Sequence, residues 1–125
     1  MKPEITEWTH IVRPGADDCH YRNYLISGAH LCQYVTDCIA CLSSVREGTG
    51  GLVANINANF RVEVHAMDEL VIKLKLEKTG NTSRVYGFTI HKTIEYANDG
   101  TATAKVLDEP LLTADGTVIL VVKSH

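Results

Sequence analysis

One segment of the chain has apolar positions at helical spacing. From Ser27 to about Val45 the apolar side chains recur every three or four residues, the period that buries one face of a helix. These side chains are Ala29, Leu31, Cys32, Val35, Cys38, Ile39 and Leu42. Ser27 is a residue type that caps helix N-termini, and the glycines at 48, 50 and 51 place a flexible loop after the segment. The pattern predicts one long helix.

Most of the other apolar positions alternate with polar ones, which is typical of strands with one buried face. The predicted strands are residues 5–13, 52–64, 70–77, 86–96, 101–107 and 117–123, with turns at 14–15, 79–82, 98–100 and 115–116. A single helix buries its apolar stripe only if the sheet bends around it. We therefore predict one α+β domain over residues 1–125, a hotdog fold in which a curved antiparallel sheet wraps around the helix. Such a sheet leaves an open edge, which a two-fold dimer with a continuous sheet would cover.

Composition is that of an ordinary globular protein. The 125 residues are 45% hydrophobic and 22% charged, and the formal net charge is −3. The Lys and Arg residues are scattered, which argues against a nucleic-acid-binding surface. No apolar run approaches the roughly 20 residues that span a bilayer, and the first residues lack the apolar core of a signal peptide. We expect a cytoplasmic protein that binds neither nucleic acid nor membrane.

The four cysteines raise the question of a metal site. Cys38 and Cys41 form a C-x-x-C pair, but the pair lies inside the predicted helix and no second pair follows it. Zinc sites normally combine two such pairs in turns. We expect no metal and interpret these cysteines as small apolar helix residues.

Reactive side chains are densest at residues 17–24, immediately before the predicted helix. The first amides of a helix have no intrahelical partner and lie at the positive end of its dipole. The amides of Ser27, Gly28 and Ala29 would therefore bind an anion, or a carbonyl oxygen that gains negative charge during reaction. Gly28 would also let a substrate approach the backbone.

One edge of the predicted helix carries His30, Gln33, Asp37 and Cys41 at three- and four-residue steps. Asp is a poor helix former, so Asp37 either faces water or is a partly buried carboxylate that moves a proton at carbon. His20, in the polar segment, is a candidate for a second proton-transfer group because histidine titrates near neutral pH.

The same segments resemble the aminoacyl-CoA ammonia-lyases, a hotdog family that includes β-alanyl-CoA and 3-aminobutyryl-CoA ammonia-lyases. The family pattern D-x-H-Y-x-G-N-L-V-N/D-G-A, then G-D-x-x-x-E-L, aligns without a gap with residues 18–42. The residues that match it include Asp18, His20, Tyr21, Leu25, Gly28, Ala29, Asp37 and Leu42. Weaker similarities cover 59–68, 80–83 and 108–110. The chain departs from the pattern with Asn23-Tyr24 in place of Gly-Asn, Cys41 in place of Glu and Met67 in place of Gly.

The resemblance implies a lyase that reversibly eliminates ammonia from a short β-aminoacyl-CoA to give the enoyl-CoA. Asp37 and His20 would be the catalytic residues. The substrate-binding residues would be Asp18, Tyr21, Ser27, Gly28 and Ala29. Coenzyme A would enter only as part of the substrate, no other cofactor would be needed, and the protein would be a homodimer or higher homo-oligomer. Two alternatives remain open: a thioesterase or hydratase acting on acyl-CoA or acyl-carrier protein, and a non-catalytic acyl-CoA-binding protein, which the replacement at Cys41 favours.

Overall fold

The computed structural model describes residues 4–19, 21–97 and 99–122. Its one long helix, α1, is Gly28–Glu47, and two short 3₁₀ turns at Ala16–Asp18 and Arg22–Tyr24 precede it. The strands are β1 Glu7–Val12, β2 Leu52–Phe60, β3 Glu69–Thr79, β4 Ser83–Tyr96 and β5 Ala104–Val121. They pair antiparallel in one sheet, in the order β1-β3-β4-β5-β2. The predicted α+β hotdog architecture is confirmed.

The core lies between α1 and one face of the sheet. The helix buries residues at three- and four-residue steps, while β3, β4 and β5 bury alternate residues. The apolar side chains of both patterns therefore face the same core. Side chains that are essentially inaccessible include Val35, Ile39, Leu42, Leu70, Ile72, Ile90, Val118 and Leu120. Burial of each such side chain contributes roughly 1.5–3 kcal/mol.

Both ends of α1 have the caps that the sequence predicts. The Ser27 Oγ accepts a hydrogen bond from the His30 amide at 3.1 Å. At the other end Gly48 adopts a left-handed conformation with φ of 76°, which glycine tolerates and which ends the helix. The helix therefore starts at the predicted place and runs slightly beyond Val45.

The predicted break at residues 115–116 is wrong, because β5 runs through it without interruption. Gly116 pairs with Ala58 of β2 on one side and with Phe88 of β4 on the other. A Cβ at Gly116 would collide with the carbonyl oxygen of Asn57. This glycine permits the close approach of two strands. In a sequence, a glycine with this role cannot be distinguished from a glycine in a turn.

The predicted strand 52–64 is too long, since β2 ends at Phe60 and residues 61–68 form a loop. The amides of Arg61 and Val62 donate to the Thr113 carbonyl at 2.7 and 3.3 Å, which turns the chain away from the sheet. The loop 61–68 matters for the site because it holds the chain that leads into α1.

Of the turn predicted at 98–100, residue 98 lies outside the described residues.

Candidate active site

The first residue of α1 packs against the end of β2. A Cβ added to Gly28 would lie 3.0 Å from two carbons of the Phe60 ring, a tighter contact than side chains normally make. Phe60 itself is 51% exposed. The sequence predicted that Gly28 lets a substrate approach the backbone. In the structure, the lack of a Cβ at Gly28 leaves room for the Phe60 ring beside the start of the helix.

Backbone hydrogen bonds fix the segment that leads into α1. The Ile26 amide donates to the Val64 carbonyl at 2.8 Å, the Ala66 amide to Tyr24 at 2.9 Å, and the Met67 amide to Pro14 at 2.7 Å. The segment and the loop 61–68 therefore form one unit. This unit sets the direction in which the first amides of the helix point.

Three non-glycine residues of this unit have left-handed backbones: Asn23 with φ of 61°, Tyr24 with 59° and Met67 with 74°. Such a conformation costs a residue with a Cβ roughly 1–2 kcal/mol, although asparagine tolerates it better. The ammonia-lyase pattern has glycine at the positions of Asn23 and Met67. These two departures from the pattern thus keep the backbone that glycine would adopt.

Asp18 lies against the first two turns of α1. Its Oδ2 accepts from the Gly15 amide at 2.9 Å and from the Tyr34 hydroxyl at 3.4 Å, and its Oδ1 lies 3.4 Å from the Nε2 of His30. The rings of His30 and Tyr34 meet edge to face with centroids 4.8 Å apart. Asp18, His30 and Tyr34 form one cluster, which we call the Asp18 cluster.

Tyr34 is a hydrogen-bond donor in the Asp18 cluster. Burial raises the pKa of its phenol well above the ordinary value, and the nearby carboxylate of Asp18 raises it further. Sequence reasoning did not single out Tyr34 or His30 as site residues. Their four-residue spacing on the helix was the available signal, because it places both side chains on one edge.

Asp37 lies on the same edge as predicted, together with exposed Gln33 and Cys41, but its side chain is exposed in the single chain. Of the two alternatives predicted for Asp37, the single chain therefore shows the one in which the carboxylate faces water. Asp37 follows Gly28 by nine residues of α1, which corresponds to about 13 Å along the axis at 1.5 Å per residue. Within one chain Asp37 and the start of the helix therefore lie far apart.

The other predicted site residues differ in how far the structure describes them. His20 lies outside the described residues, so its catalytic role stays a prediction. Tyr21 and Ala29 are exposed, and Ser27 is half-buried with its hydroxyl engaged in the helix cap.

The cysteines have separate environments. Cys38 is buried, its sulfur lies 3.0 Å from the Nδ1 of His10, and burial raises the pKa of its thiol to about 12. Cys41 is exposed, while Cys19 and Cys32 are half-buried, and all four are free. Cys38 is thus the core residue that was predicted, whereas Cys41 faces outward. The described residues contain no group of three or more His, Cys, Asp or Glu side chains arranged to hold a metal ion.

Two surface cavities are lined by residues outside α1. One, of about 660 Å³, lies across β1, β3, β4 and β5, and includes Lys73, Lys75 and Glu77 in its lining. The other, of about 360 Å³, lies beside the segment before the helix and includes Tyr24, Met67 and Tyr96.

Comparison with known proteins gives matches over most of the chain. Residues 25–95 match the Thioesterase superfamily. The chain is 29% identical over 113 residues to a 3-aminobutyryl-CoA ammonia lyase of Acetoanaerobium sticklandii, covering 87% of this chain and 90% of that protein. Among the described helices, none is both long and apolar enough to cross a membrane.

Two solved structures have the same fold. The β-alanyl-CoA:ammonia lyase of Clostridium propionicum superimposes with a TM-score of 0.88 at 22% identity, covering 96% of this chain and 87% of that one. An acyl-CoA hydrolase of Staphylococcus aureus, a mutant in complex with coenzyme A, superimposes with a TM-score of 0.76 at 13% identity, covering 94% of this chain and 65% of that one.

Proposed function

Because this chain belongs to the thioesterase superfamily, we propose that it is an acyl-CoA enzyme that reversibly eliminates ammonia from a short β-aminoacyl-CoA. Its similarity along 87% of its length to a 3-aminobutyryl-CoA ammonia lyase is the observation that carries the proposal. The capped helix start, with Gly28 and Ala29 in its first turn, supports the proposal on chemical grounds.

In the proposed chemistry the helix stabilises negative charge and a carboxylate transfers a proton. The amides at the start of α1 donate to the thioester oxygen and stabilise the negative charge that grows there. The amino group of the substrate enters as an ammonium group. A carboxylate takes the proton from Cα, the C–H electron pair forms the new double bond, and the C–N pair leaves with the nitrogen of the ammonium group as neutral ammonia. The thioester carbonyl itself acidifies Cα, so the reaction requires no metal or redox cofactor.

The position of Asp37 favours a site built from two copies of the chain. The reacting atoms of a thioester lie within a few ångströms of its oxygen, whereas Asp37 is about 13 Å from Gly28 along the helix. The carboxylate that serves one helix start would therefore be Asp37 of the partner subunit. Such a homodimer fits the sheet order, since β2 is an outer strand that pairs with β5 on one side only.

Exposed apolar side chains support this dimer. Leu52 at the start of β2 is 67% exposed, Phe60 at its end is 51% exposed and Val45 of α1 is 51% exposed. An outer strand with large apolar side chains exposed is a surface that proteins normally cover. We propose pairing of two β2 strands into one continuous sheet.

The reaction itself is tested by incubating the purified protein with ammonia and either crotonyl-CoA or acryloyl-CoA. A lyase consumes the enoyl absorbance without releasing free thiol. A thioesterase, the second candidate, releases free thiol; the superfamily match and the similar acyl-CoA hydrolase fold favour it. Binding of these thioesters without either change would support the non-catalytic alternative and reject the lyase.

The two-copy site is tested with hybrids. Asp37→Asn removes the carboxylate, and Gly28→Val blocks the helix start. Each variant alone should be inactive, whereas co-expressed variants should recover about a quarter of wild-type activity, because half of the dimers are hybrid and each hybrid keeps one intact site. Absence of any recovery in hybrids that form would reject the shared site and leave the overall reaction unaffected.

We place this activity in the cytoplasm. All four cysteines are free thiols, the state that a reducing compartment maintains.

A further inference from the structure

We infer that Asp18 binds the ammonium group of the substrate and thereby selects β-aminoacyl-CoA over uncharged acyl-CoA. The inference rests on the proposed function, since it concerns the same site. It assigns the recognition of the leaving group to a residue that is remote from Asp37 of the same chain.

The first support is distance. The Nε2 of a histidine lies about 4.5 Å from its own Cα by covalent geometry, and Asp18 Oδ1 is 3.4 Å further on from His30. The carboxylate is therefore roughly 8 Å or less from the first turn of α1. In a β-aminoacyl thioester the carbonyl oxygen and the amino nitrogen are about 3–4 Å apart, and a hydrogen bond of about 2.9 Å at each end extends this to at most about 10 Å. A substrate held by the helix amides is therefore long enough to reach Asp18.

The second support is the way in which the carboxylate is held. Two donors, the Gly15 amide and the Tyr34 hydroxyl, both bind Oδ2 and fix the orientation of the group. Among the contacts found in the described residues, the His30 imidazole is the group that approaches Oδ1, and the Asp18 side chain remains 39% exposed. An oriented carboxylate on a partly exposed side chain suits an ammonium ion, because hydrogen bonds between two charged groups are stronger than neutral ones.

The third support is the choice among carboxylates. Asp17 belongs to the same 3₁₀ turn but is exposed, and it makes no hydrogen bond or ion pair among those found in the described residues. Asp37 is two helical turns beyond His30. Among these three carboxylates, Asp18 alone contacts the first two turns of α1.

The experiment compares two ligands that have nearly the same shape. β-Alanyl-CoA ends in an ammonium group, whereas butyryl-CoA has a methyl group at that position. Both are titrated into the full-length protein by calorimetry, in the Asp37→Asn background so that turnover does not disturb the equilibrium. We expect the protein to prefer β-alanyl-CoA, and Asp18→Asn to reduce the ratio of the two dissociation constants about tenfold to a hundredfold, the value of one charged hydrogen bond.

Control variants separate recognition from structure. Asp17→Asn removes one charge from the same turn and should leave the ratio unchanged. Tyr34→Phe removes a donor to Asp18 but keeps the carboxylate, so it should retain most of the preference even if stability falls. If Asp18→Asn fails to fold, Asp18→Glu, which keeps the charge, should preserve a preference that Asp18→Gln removes.

The outcomes distinguish the two hypotheses. Equal weakening of both ligands by Asp18→Asn would overturn the inference and show that Asp18 only supports the loop. Lack of ammonia addition by the wild-type protein would reject the proposed function instead, while the ratio of dissociation constants would still report on Asp18.

Discussion

The Nζ of Lys92 lies 3.1 Å from the Oδ2 of Asp68, and both side chains are at most 2% exposed. The Lys92 ammonium also donates to the Glu63 carbonyl at 3.0 Å and to Glu95 at 3.3 Å. Asp68 in turn accepts from the amides of His65 and Tyr96, both at 2.9 Å. This buried ion pair joins the loop 61–68 to β4, and the same loop holds the chain that enters α1.

Lys92→Met should lower the free energy of unfolding by about 3–5 kcal/mol, because it leaves the buried carboxylate of Asp68 without its cation. Chemical denaturation measures the change. Lys73→Met is the matched control, since Lys73 is exposed on the sheet and should change stability by less than about 0.5 kcal/mol. Similar values for the two variants would contradict the structural role of the pair.

The lowered pKa of Glu47 predicts that the free energy of unfolding depends on pH. The Arg84 guanidinium, which donates to Glu47 at 2.7 Å, holds the pKa of that carboxyl below its usual value, and Arg46 donates at 3.0 Å. Because the pKa of Glu47 is lower in the folded state than in the unfolded state, Glu47 stabilises the fold. This contribution is fully present above the pKa of an unfolded glutamate, about 4.3, and is lost as the pH falls through the lower pKa of the folded state.

Glu47→Gln should therefore lower the free energy of unfolding at neutral pH by about 1–3 kcal/mol and flatten its decline below about pH 4.5. Unfolding curves collected between neutral and acidic pH measure this. Glu77→Gln removes an exposed carboxylate and should leave both the level and the slope unchanged. A parallel decline in Glu47→Gln and wild type would exclude Glu47 as a source of acid sensitivity.

The cysteines should react in a fixed order with a thiol reagent. Cys41 is exposed and should be labelled first, whereas Cys38 is buried with its pKa raised to about 12 and should react only after unfolding. Mass spectrometry of the labelled peptides in native and denaturing buffer measures the order. Rapid native labelling of Cys38 would mean that this face of α1 is not the core face.

Gly28→Ala should reduce kcat/KM about tenfold to a hundredfold, since its Cβ would press on the Phe60 ring and displace the helix start. The double variant Gly28→Ala/Phe60→Leu should recover part of the loss, because a smaller side chain leaves room for the methyl group. Steady-state ammonia addition to an enoyl-CoA measures both. Full activity of Gly28→Ala would show that the position of Phe60 does not matter to the reaction.

Periodicity in the sequence was enough to predict the elements that the core holds in place. The apolar stripe of α1 and the alternation in β3 and β4 are local patterns that persist wherever the elements pack. Ser27 and Gly48 also act locally, since a cap bonds to residues within one turn. The resemblance to ammonia-lyases likewise depends on residues that are close in sequence.

Tertiary structure alone decided the features that depend on distant contacts. Gly116 resembles a turn in sequence, but its role comes from Asn57 on a neighbouring strand. Asp18 meets His30 and Tyr34 because hydrogen bonds between the segment before α1 and the loop 61–68 bring it there. Contacts of this kind join residues that are far apart along the chain, so the local spacing of residues in the sequence does not predict them.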